Sequence, residues 1–456
     1  MKKKAPSRIA RVQARQILDS RGRPTIEADV ILEDGTLGRA CAPSGASMGR
    51  HEALELRDGN ADLYDGMGVM TAAANVRSAI SQRIVGLDAL DQSALDDALV
   101  TLDGSASLKR LGANAVLPIS LAVARAAAAH CREPLYKYIS RLHRATPMSL
   151  PMPMTNILSG GAHAARGMDL QDFLVIPVGA RSYSEALHMI SRVRNSAAKL
   201  MSAQGLPTLL ADEGGLSPHY GTAEQALELM VKAFDQARLQ PGVDVAIALD
   251  VAASELFKDD HYELPRANQS FSGAQMIDFL IDLTERYPIV SIEDALEQDD
   301  WKLWQQLTTA LPETQIVGDD LFATNVERIS HGIEQNVANA ALIKLNQNGT
   351  LSGTLRAISV CSASHYATVV SARSGETEDT FIADLAVGTG AGQIKIGSVR
   401  SSERLAKYNQ LLRIEEESGL PFAGTSKLSG NRYGAVHAAG VHAIKGTAAC
   451  PSPSQP

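Results

Sequence analysis

The sequence has few cysteines, few aromatic residues and no long apolar stretch. Its four cysteines, Cys41, Cys131, Cys361 and Cys450, are widely spaced and form no Cys-x-x-Cys pair. This spacing argues against a disulfide framework or a cysteine zinc site, and it is typical of reduced thiols in a cytoplasmic enzyme. Because no run of about 18 apolar residues occurs, no membrane span is expected. No apolar segment follows the lysines at positions 2–4, so no secretory signal is predicted either.

Basic residues are also fewer than acidic residues, 43 against 51. The formal net charge is -8, aromatic residues make up 4% of the chain, and no basic stripe is interleaved with aromatics. This pattern argues against nucleic-acid binding. A hydrophobic content of 45% with 21% charged residues is ordinary for a folded protein with a sizeable core. At 456 residues, the length favours a barrel of about 250 residues together with a smaller domain.

The N-terminal part predicts an α+β domain over residues 1–145. Residues 8–43 read as a meander with a hairpin turn at Asp34-Gly35, and the pattern becomes helical from Thr71 to His130. Between them, residues 43–49 form a loop of small residues. A Pro-rich stretch at 150–154 marks the entry into a second domain, predicted over 146–420. Residues 421–456 are predicted to be a partly disordered tail.

The second domain contains a series of short aliphatic runs that each end in polar or charged residues. Such runs suit strands that are buried on both faces of a parallel sheet. Their spacing of roughly 20 to 45 residues leaves room for a loop and a covering helix each time. The series predicts an α/β fold of the (β/α)8-barrel type, with the strand ends gathered on one face as an active site. The residues that end these runs are Asp250, Glu293, Asp319, Lys344, Arg373 and Lys395.

Three of these strand ends are carboxylates, Asp250, Glu293 and Asp319. A single acid at a strand end is more often a cap of the following helix than a ligand. Three in series, followed by two lysines, favour a metal site. Carboxylate oxygens are hard ligands of the kind that Mg²⁺ prefers, with space left for water and substrate oxygens.

The remaining polar residues predict acid–base chemistry. Lys344 is a candidate general base, and Lys395 and a divalent cation nearby are expected to lower its pKa. Glu213, in a turn with two glycines, is a candidate proton donor. Arg373, followed by Ser374, predicts an anion clamp. These groups suit proton abstraction beside a carboxylate followed by elimination, with the metal stabilising the enolate.

Taken together, these residues make the chain similar to the enolase family, the phosphopyruvate hydratases. The resemblance extends from about residue 8 to 420. The enolase superfamily is itself the known example of a lysine or histidine base that works with magnesium. The matching stretches are Asp19–Thr25, Pro43–Ser47, His51–Gly59, Asp212–Gly215, Ser291–Asp294, Gly318–Leu321, Ser374–Asp379 and Leu405–Gln410.

The resemblance implies an α+β cap domain and a barrel that contains an antiparallel strand. It implies dehydration of 2-phosphoglycerate to phosphoenolpyruvate with two magnesium ions, in a homodimer formed through the cap domain. Lys344 would take the proton at C2, and Glu213 would assist departure of the C3 hydroxyl. Asp250, Glu293 and Asp319 would hold the first magnesium, and Ser47 would help to place the second. The substrate would contact His163, Asp172, Arg373, Ser374 and Lys395.

The chain departs from the family pattern at five positions on or beside the expected substrate face. These are Met48, Ser159, Asp172, Ala372 and Ile396, where the family usually has threonine, asparagine, glutamate, histidine and threonine. The departures leave alternatives to a phosphopyruvate hydratase. One is an enolase-like dehydratase of a related phospho- or phosphono-hydroxy acid. Another is a non-catalytic binding or scaffold protein, which the retained acid, base and carboxylates disfavour.

Overall fold

An antiparallel sheet opens the chain in the computed structural model, which describes residues 6–46 and 49–430. Its three strands follow the order β1-β2-β3. The turn after β2 is held by Asp34, whose Oδ1 accepts a hydrogen bond from the amide of Thr36 at 2.9 Å. The predicted meander is therefore confirmed. The strands are β1 Ile9–Leu18, β2 Pro24–Leu32 and β3 Leu37–Cys41.

Five helices follow this sheet in the chain, and the longest of them packs directly on it. Helix α4 packs on β2 and β3 and is almost wholly buried. Among the described residues it is the one helix long and apolar enough to cross a membrane, but 78% of its apolar window is buried inside the protein. Its apolar character is therefore accounted for by core packing. The helices are α1 Met70–Asn75, α2 Ser81–Ile84, α3 Gln92–Asp103, α4 Ala113–Cys131 and α5 Leu135–His143.

Eight strands then close into a barrel in the order β4-β5-β6-β10-β11-β12-β13-β14. Strand β5 runs antiparallel to both of its neighbours, whereas the other neighbouring pairs are parallel. The barrel and its antiparallel strand confirm the predicted fold. The barrel strands are β4 Met152–Ser159, β5 Asp172–Ile176, β6 Ala246–Asp250, β10 Ile289–Glu293, β11 Gln315–Gly318, β12 Ala340–Ile343, β13 Ala367–Ser371 and β14 Gly392–Lys395.

Helices pack around the barrel, and a small sheet projects from the connection after β6. That sheet contains β7 Phe257–Lys258, β8 His261–Leu264 and β9 Gln269–Phe271. Several of the helices begin with a polar N-cap, such as Ser182 before α6. The helices are α6 Tyr183–Ala203, α7 Ala223–Gln236, α8 Gly273–Arg286, α9 Trp301–Ala310, α10 Val326–Gln335, α11 Leu345–Asn348, α12 Leu351–Ala363, α13 Phe381–Thr389 and α14 Ser402–Ser418.

The end of the barrel opposite the strand-end charges is closed by residues 421–430. Phe422 bridges to Leu150, and the backbone carbonyl of Lys427 accepts a hydrogen bond from the side chain of Gln393 at 2.9 Å. The first part of the predicted tail thus packs against the barrel, and residues 431–456 lie outside the described residues. The predicted domain boundaries stay predictions.

Candidate active site

The strand register places polar residues in a row across one end of the barrel. Ser159 pairs with Asp172, Asp172 with Asp250, and Asp250 with Glu293. Since β5 is antiparallel, its first residue lies where β4 and β6 end. The end of β4, the start of β5 and the end of β6 therefore lie side by side, and the strand pairing brings Ser159, Asp172 and Asp250 together.

A pocket of about 40 Å³ opens at this end. The structure brings eight of the predicted site residues to its wall, whereas Asp172 and Glu293 lie behind the wall and are buried. Ser47 lies outside the described residues. The residues on the wall are His163, Glu213, Asp250, Asp319, Lys344, Arg373, Ser374 and Lys395.

Lys395 joins two of the predicted metal ligands. Its Nζ donates to Asp250 Oδ2 at 2.7 Å and to Glu293 Oε2 at 2.8 Å. Burial alone would lower the pKa of Lys395, but the charges of the two carboxylates outweigh burial and hold this pKa well above its usual value. Lys395 is therefore a fixed positive charge at the base of the pocket.

Glu293 has one carboxylate oxygen that Lys395 does not bind. Glu293 is buried with Oε1 lacking any hydrogen-bond partner among the described residues. Burial and the neighbouring charge of Asp250 raise the pKa of Glu293 to about 8. An unpartnered carboxylate oxygen in a cluster of hard oxygen donors fits a divalent cation such as Mg²⁺. Asp250, Glu293 and Asp319 are the residues that would hold it.

A neighbouring acid, Asp294, has a structural role instead. Asp294, Asp319 and Asp320 have ligand atoms within 4.8 Å of one another. However, the two carboxylate oxygens of Asp294 accept hydrogen bonds from the backbone amides of Asp319 and Asp320, at 2.8 and 2.9 Å. Asp294 thus shapes the turn that presents Asp319.

Lys344 is paired with Asp319. The Nζ of Lys344 donates to Asp319 Oδ2, and Gln347 Nε2 donates to Asp319 Oδ1 at 2.8 Å. Burial lowers the pKa of Lys344, yet the Asp319 charge prevails and raises it; Arg373 is the cation that acts in the opposite direction. The predicted lowering of the Lys344 pKa by Lys395 is therefore wrong for this form of the protein, because the charge of Asp319 outweighs the effects that lower it.

On the other side of the pocket, His163 lies between two carboxylates. Its Nδ1 bonds Asp172 Oδ2 at 2.9 Å, and its Nε2 lies 3.9 Å from Glu213 Oε1. Burial would lower the pKa of His163, but the charges of Glu213 and Asp172 raise it to about 9. The imidazole is consequently a cation at neutral pH. The resemblance implies a substrate contact for His163, and the structure places this residue on the pocket wall.

Glu213 is held by its surroundings as a carboxylate. Its Oε2 accepts a hydrogen bond from Asn156 Nδ2 at 3.1 Å. Burial would raise the pKa of Glu213, but the positive charges of His163 and Arg404 lower it. In this form of the protein, the acidic proton on this side of the pocket therefore lies on His163.

The predicted anion clamp is engaged by the cap domain. Arg373 Nη1 donates to Glu52 Oε2 at 3.0 Å and to Asn346 Oδ1 at 3.0 Å. Ser374 Oγ accepts a hydrogen bond from Arg21 Nη1 at 3.2 Å. Glu52 was not singled out from the sequence, because nothing in its local pattern indicates a partner 321 residues away. The signal that could have identified Glu52 was its position in His51–Gly59, one of the stretches that match the enolase family.

The departures from the family pattern fall into three structural settings. Ala372 is on the pocket wall and places no polar side-chain atom there. Ile396 is fully buried, and its carbonyl accepts a hydrogen bond from Arg404 Nη1 at 3.0 Å. Ser159 Oγ donates to Asp172 Oδ1 at 2.5 Å, so these two departures contact each other. Met48 lies outside the described residues.

A larger cavity of about 380 Å³ adjoins the 40 Å³ pocket. Gln171, Ala252 and Glu255 line both spaces. The walls of the larger cavity include Met168 and Leu256, so part of its surface is apolar. The smaller pocket and this larger cavity are therefore direct neighbours.

Comparison with protein families assigns both parts of the chain. Residues 9–139 match the family model described as the enolase N-terminal domain. Residues 147–431 match the model described as the enolase C-terminal TIM barrel domain. These two ranges contain the cap sheet, the barrel and every candidate site residue named above.

Proposed function

Because the chain belongs to the enolase family, we propose that it is a lyase that dehydrates 2-phosphoglycerate to phosphoenolpyruvate. The observation that carries this proposal is the placement of Lys344 and Glu213, a base and an acid–base carboxylate, on the wall of one pocket. Arg373 and Lys395 add two fixed positive charges to the same wall. An anionic substrate fits that arrangement.

Lys344 takes the proton from C2 in this proposal. It must first be neutral, and the Asp319 charge that raises its pKa opposes this. Any competition for the Asp319 oxygens therefore favours the neutral base. When bound by Asp250, Glu293 and Asp319, magnesium supplies positive charge that stabilises an enolate.

The phosphate of the substrate is assigned to Arg373 and Ser374. The guanidinium group matches the planar geometry of a phosphate, as it matches the Glu52 carboxylate that it now binds. Phosphate must therefore compete with Glu52 or displace it. Glu213, with His163, faces the hydroxyl that leaves from C3.

The direct test is an assay of the purified protein with Mg²⁺ and 2-phosphoglycerate, followed through the absorbance of the conjugated enol product. We expect turnover that is lost in Lys344→Ala. A rate at background in the folded wild-type protein with bound Mg²⁺ would reject 2-phosphoglycerate as the substrate.

The adjoining cavity favours one second candidate, a dehydratase of a longer phospho- or phosphono-hydroxy acid. With about 380 Å³ beyond Gln171 and Glu255, the site has space for a substituent that 2-phosphoglycerate lacks. A comparison of kcat/KM for 2-phosphoglycerate and for an analogue extended at C3 distinguishes the two substrates. Preference for the extended analogue would support this second candidate.

A further inference from the structure

Four side chains form a linked series on the side of the pocket that carries Glu213, which is called the acid side below. Ser159 Oγ donates to Asp172 Oδ1 at 2.5 Å, and His163 Nδ1 bonds Asp172 Oδ2 at 2.9 Å. His163 then points Nε2 toward Glu213 Oε1, 3.9 Å away. Both oxygens of Asp172 are thus used by protein groups. Asp172 has no exposed surface, whereas His163 and Glu213 line the pocket.

The barrel fixes the far end of this series. Ser159 ends β4 and is the cross-strand partner of Asp172, which begins β5. A Cβ added at Gly215 would lie 2.3 Å from Ser159 Oγ, so the hydroxyl is closely packed on that side as well. Neither residue reaches the pocket, and His163 is the wall residue to which Asp172 is hydrogen-bonded.

The gap between His163 and Glu213 fits one oxygen atom. An oxygen that makes hydrogen bonds of about 2.8 Å to both Nε2 and Oε1 is compatible with their separation of 3.9 Å. Among the described residues on the pocket wall, His163 is the single imidazole, and Ala372 adds no polar side chain. The His163–Glu213 pair therefore offers a hydroxyl oxygen an N–H donor and a carboxylate acceptor at the same point.

We propose that Asp172 and Ser159 are positioning residues that hold His163 with its Nε2 hydrogen facing Glu213, and that the His163–Glu213 pair binds and protonates the departing hydroxyl. This assignment rests on the proposed dehydration. As the C3–O bond breaks, its electron pair stays with the oxygen, which takes one proton from the pair and leaves as water. The pair remains as a neutral imidazole and a carboxylate, and solvent restores the proton.

The first test observes His163 without any turnover. Imidazole ¹⁵N resonances are recorded between pH 6 and 10, and the His163 signal is identified by its loss in His163→Gln. The charged groups that face His163 are Asp172 and Glu213, with Asp250 further away. In Asp172→Asn we expect the His163 titration to move at least one pH unit lower, and Ser159→Ala to move it less in the same direction. Exposed His219→Gln and Asp97→Asn are matched controls that leave it unchanged.

The second test measures dehydration by the same variants. We expect Asp172→Asn to lower kcat by about 10²-fold, with KM changed less than threefold, because proton donation is lost while phosphate binding is kept. Ser159→Ala is expected to give a smaller loss in kcat. An unchanged His163 titration in Asp172→Asn would overturn the proposal, as would a loss confined to KM. If the wild-type protein does not turn over 2-phosphoglycerate, the proposed function fails, and the titration still decides whether Asp172 positions His163.

Discussion

The two sides of the candidate active-site pocket are built in different ways. On the lysine side, charges lie at or just beyond the ends of parallel strands and pair directly: Lys344 with Asp319, and Lys395 with Asp250 and Glu293. On the acid side, His163 and Glu213 come from connecting segments and are linked through hydrogen bonds to an antiparallel strand. Direct ion pairs therefore hold the side chains on the lysine side, whereas on the acid side a hydrogen bond to β5 holds His163 in place.

This difference determines what each side needs from a ligand. The lysine side has a carboxylate oxygen, Glu293 Oε1, without a partner among the described residues, so an added cation has a favourable place there. On the acid side, His163 is already balanced between Asp172 and Glu213. We therefore expect metal to affect the lysine side strongly and the acid side weakly.

The largest effect on stability is expected from Lys395→Met. This change leaves Asp250 and Glu293 buried without their counter-charge, a loss of about 3–5 kcal/mol in the free energy of unfolding. Mg²⁺ should restore part of this loss, because it supplies the missing positive charge. Urea unfolding with and without Mg²⁺ measures both effects. The exposed Lys258→Met serves as the control and should stay within about 0.5 kcal/mol of the wild-type protein. Equal stability of Lys395→Met and this control would contradict the charge-based account.

A smaller effect concerns His163 and pH. The pKa of His163 is raised to about 9 in the folded protein, above its usual 6.5, so the folded state holds this proton more tightly. The resulting stabilisation is complete below pH 6.5 and is lost as pH rises through 9. The stability advantage of the wild-type protein over His163→Gln should therefore shrink across this range. Chemical unfolding of both proteins at several pH values checks it, and a constant or growing difference would be inconsistent with the pairing.

The smallest effect is expected at the anion clamp. Glu52→Gln removes the charge that competes for Arg373 while it keeps a hydrogen-bonding group. Inorganic phosphate should then bind about tenfold more tightly, a change of about 1.4 kcal/mol. Calorimetric titration provides the measurement. Glu55→Gln is the matched control, since Glu55 pairs with Arg57 in the same loop. Unchanged or weaker phosphate binding in Glu52→Gln would show that Glu52 does not compete with the anion.

Much of the lysine side could be predicted from the sequence. Short aliphatic runs that end in Asp250, Glu293 and Lys395 indicate buried strands. A closed barrel brings the carboxyl ends of parallel strands together, whatever the length and conformation of the loops. The pairing of charges could not be predicted in the same way. Lys395 was expected to act on Lys344, whereas it binds Asp250 and Glu293, because side-chain direction and register decide the partner.

The acid side was less accessible to prediction. The contact between Ser159 and Asp172 depends on the antiparallel register of β4 and β5, which strand composition alone does not give. Asp172 was predicted to bind substrate, and the structure instead places it behind His163. The contact of Glu52 with Arg373 joins two domains, so no local pattern encodes it. The homodimer and the cytoplasmic location stay predictions.

Isotope exchange tests most directly whether the two sides of the pocket carry out separate steps. Wild-type protein, Glu213→Gln and Lys344→Ala are incubated with Mg²⁺ and 2-phosphoglycerate that carries deuterium at C2, and both deuterium loss and enol formation are followed. If the sides act separately, Glu213→Gln loses dehydration by about 10²-fold or more and keeps exchange near the wild-type rate, whereas Lys344→Ala loses both. Equal loss of exchange in Glu213→Gln and Lys344→Ala would contradict the account.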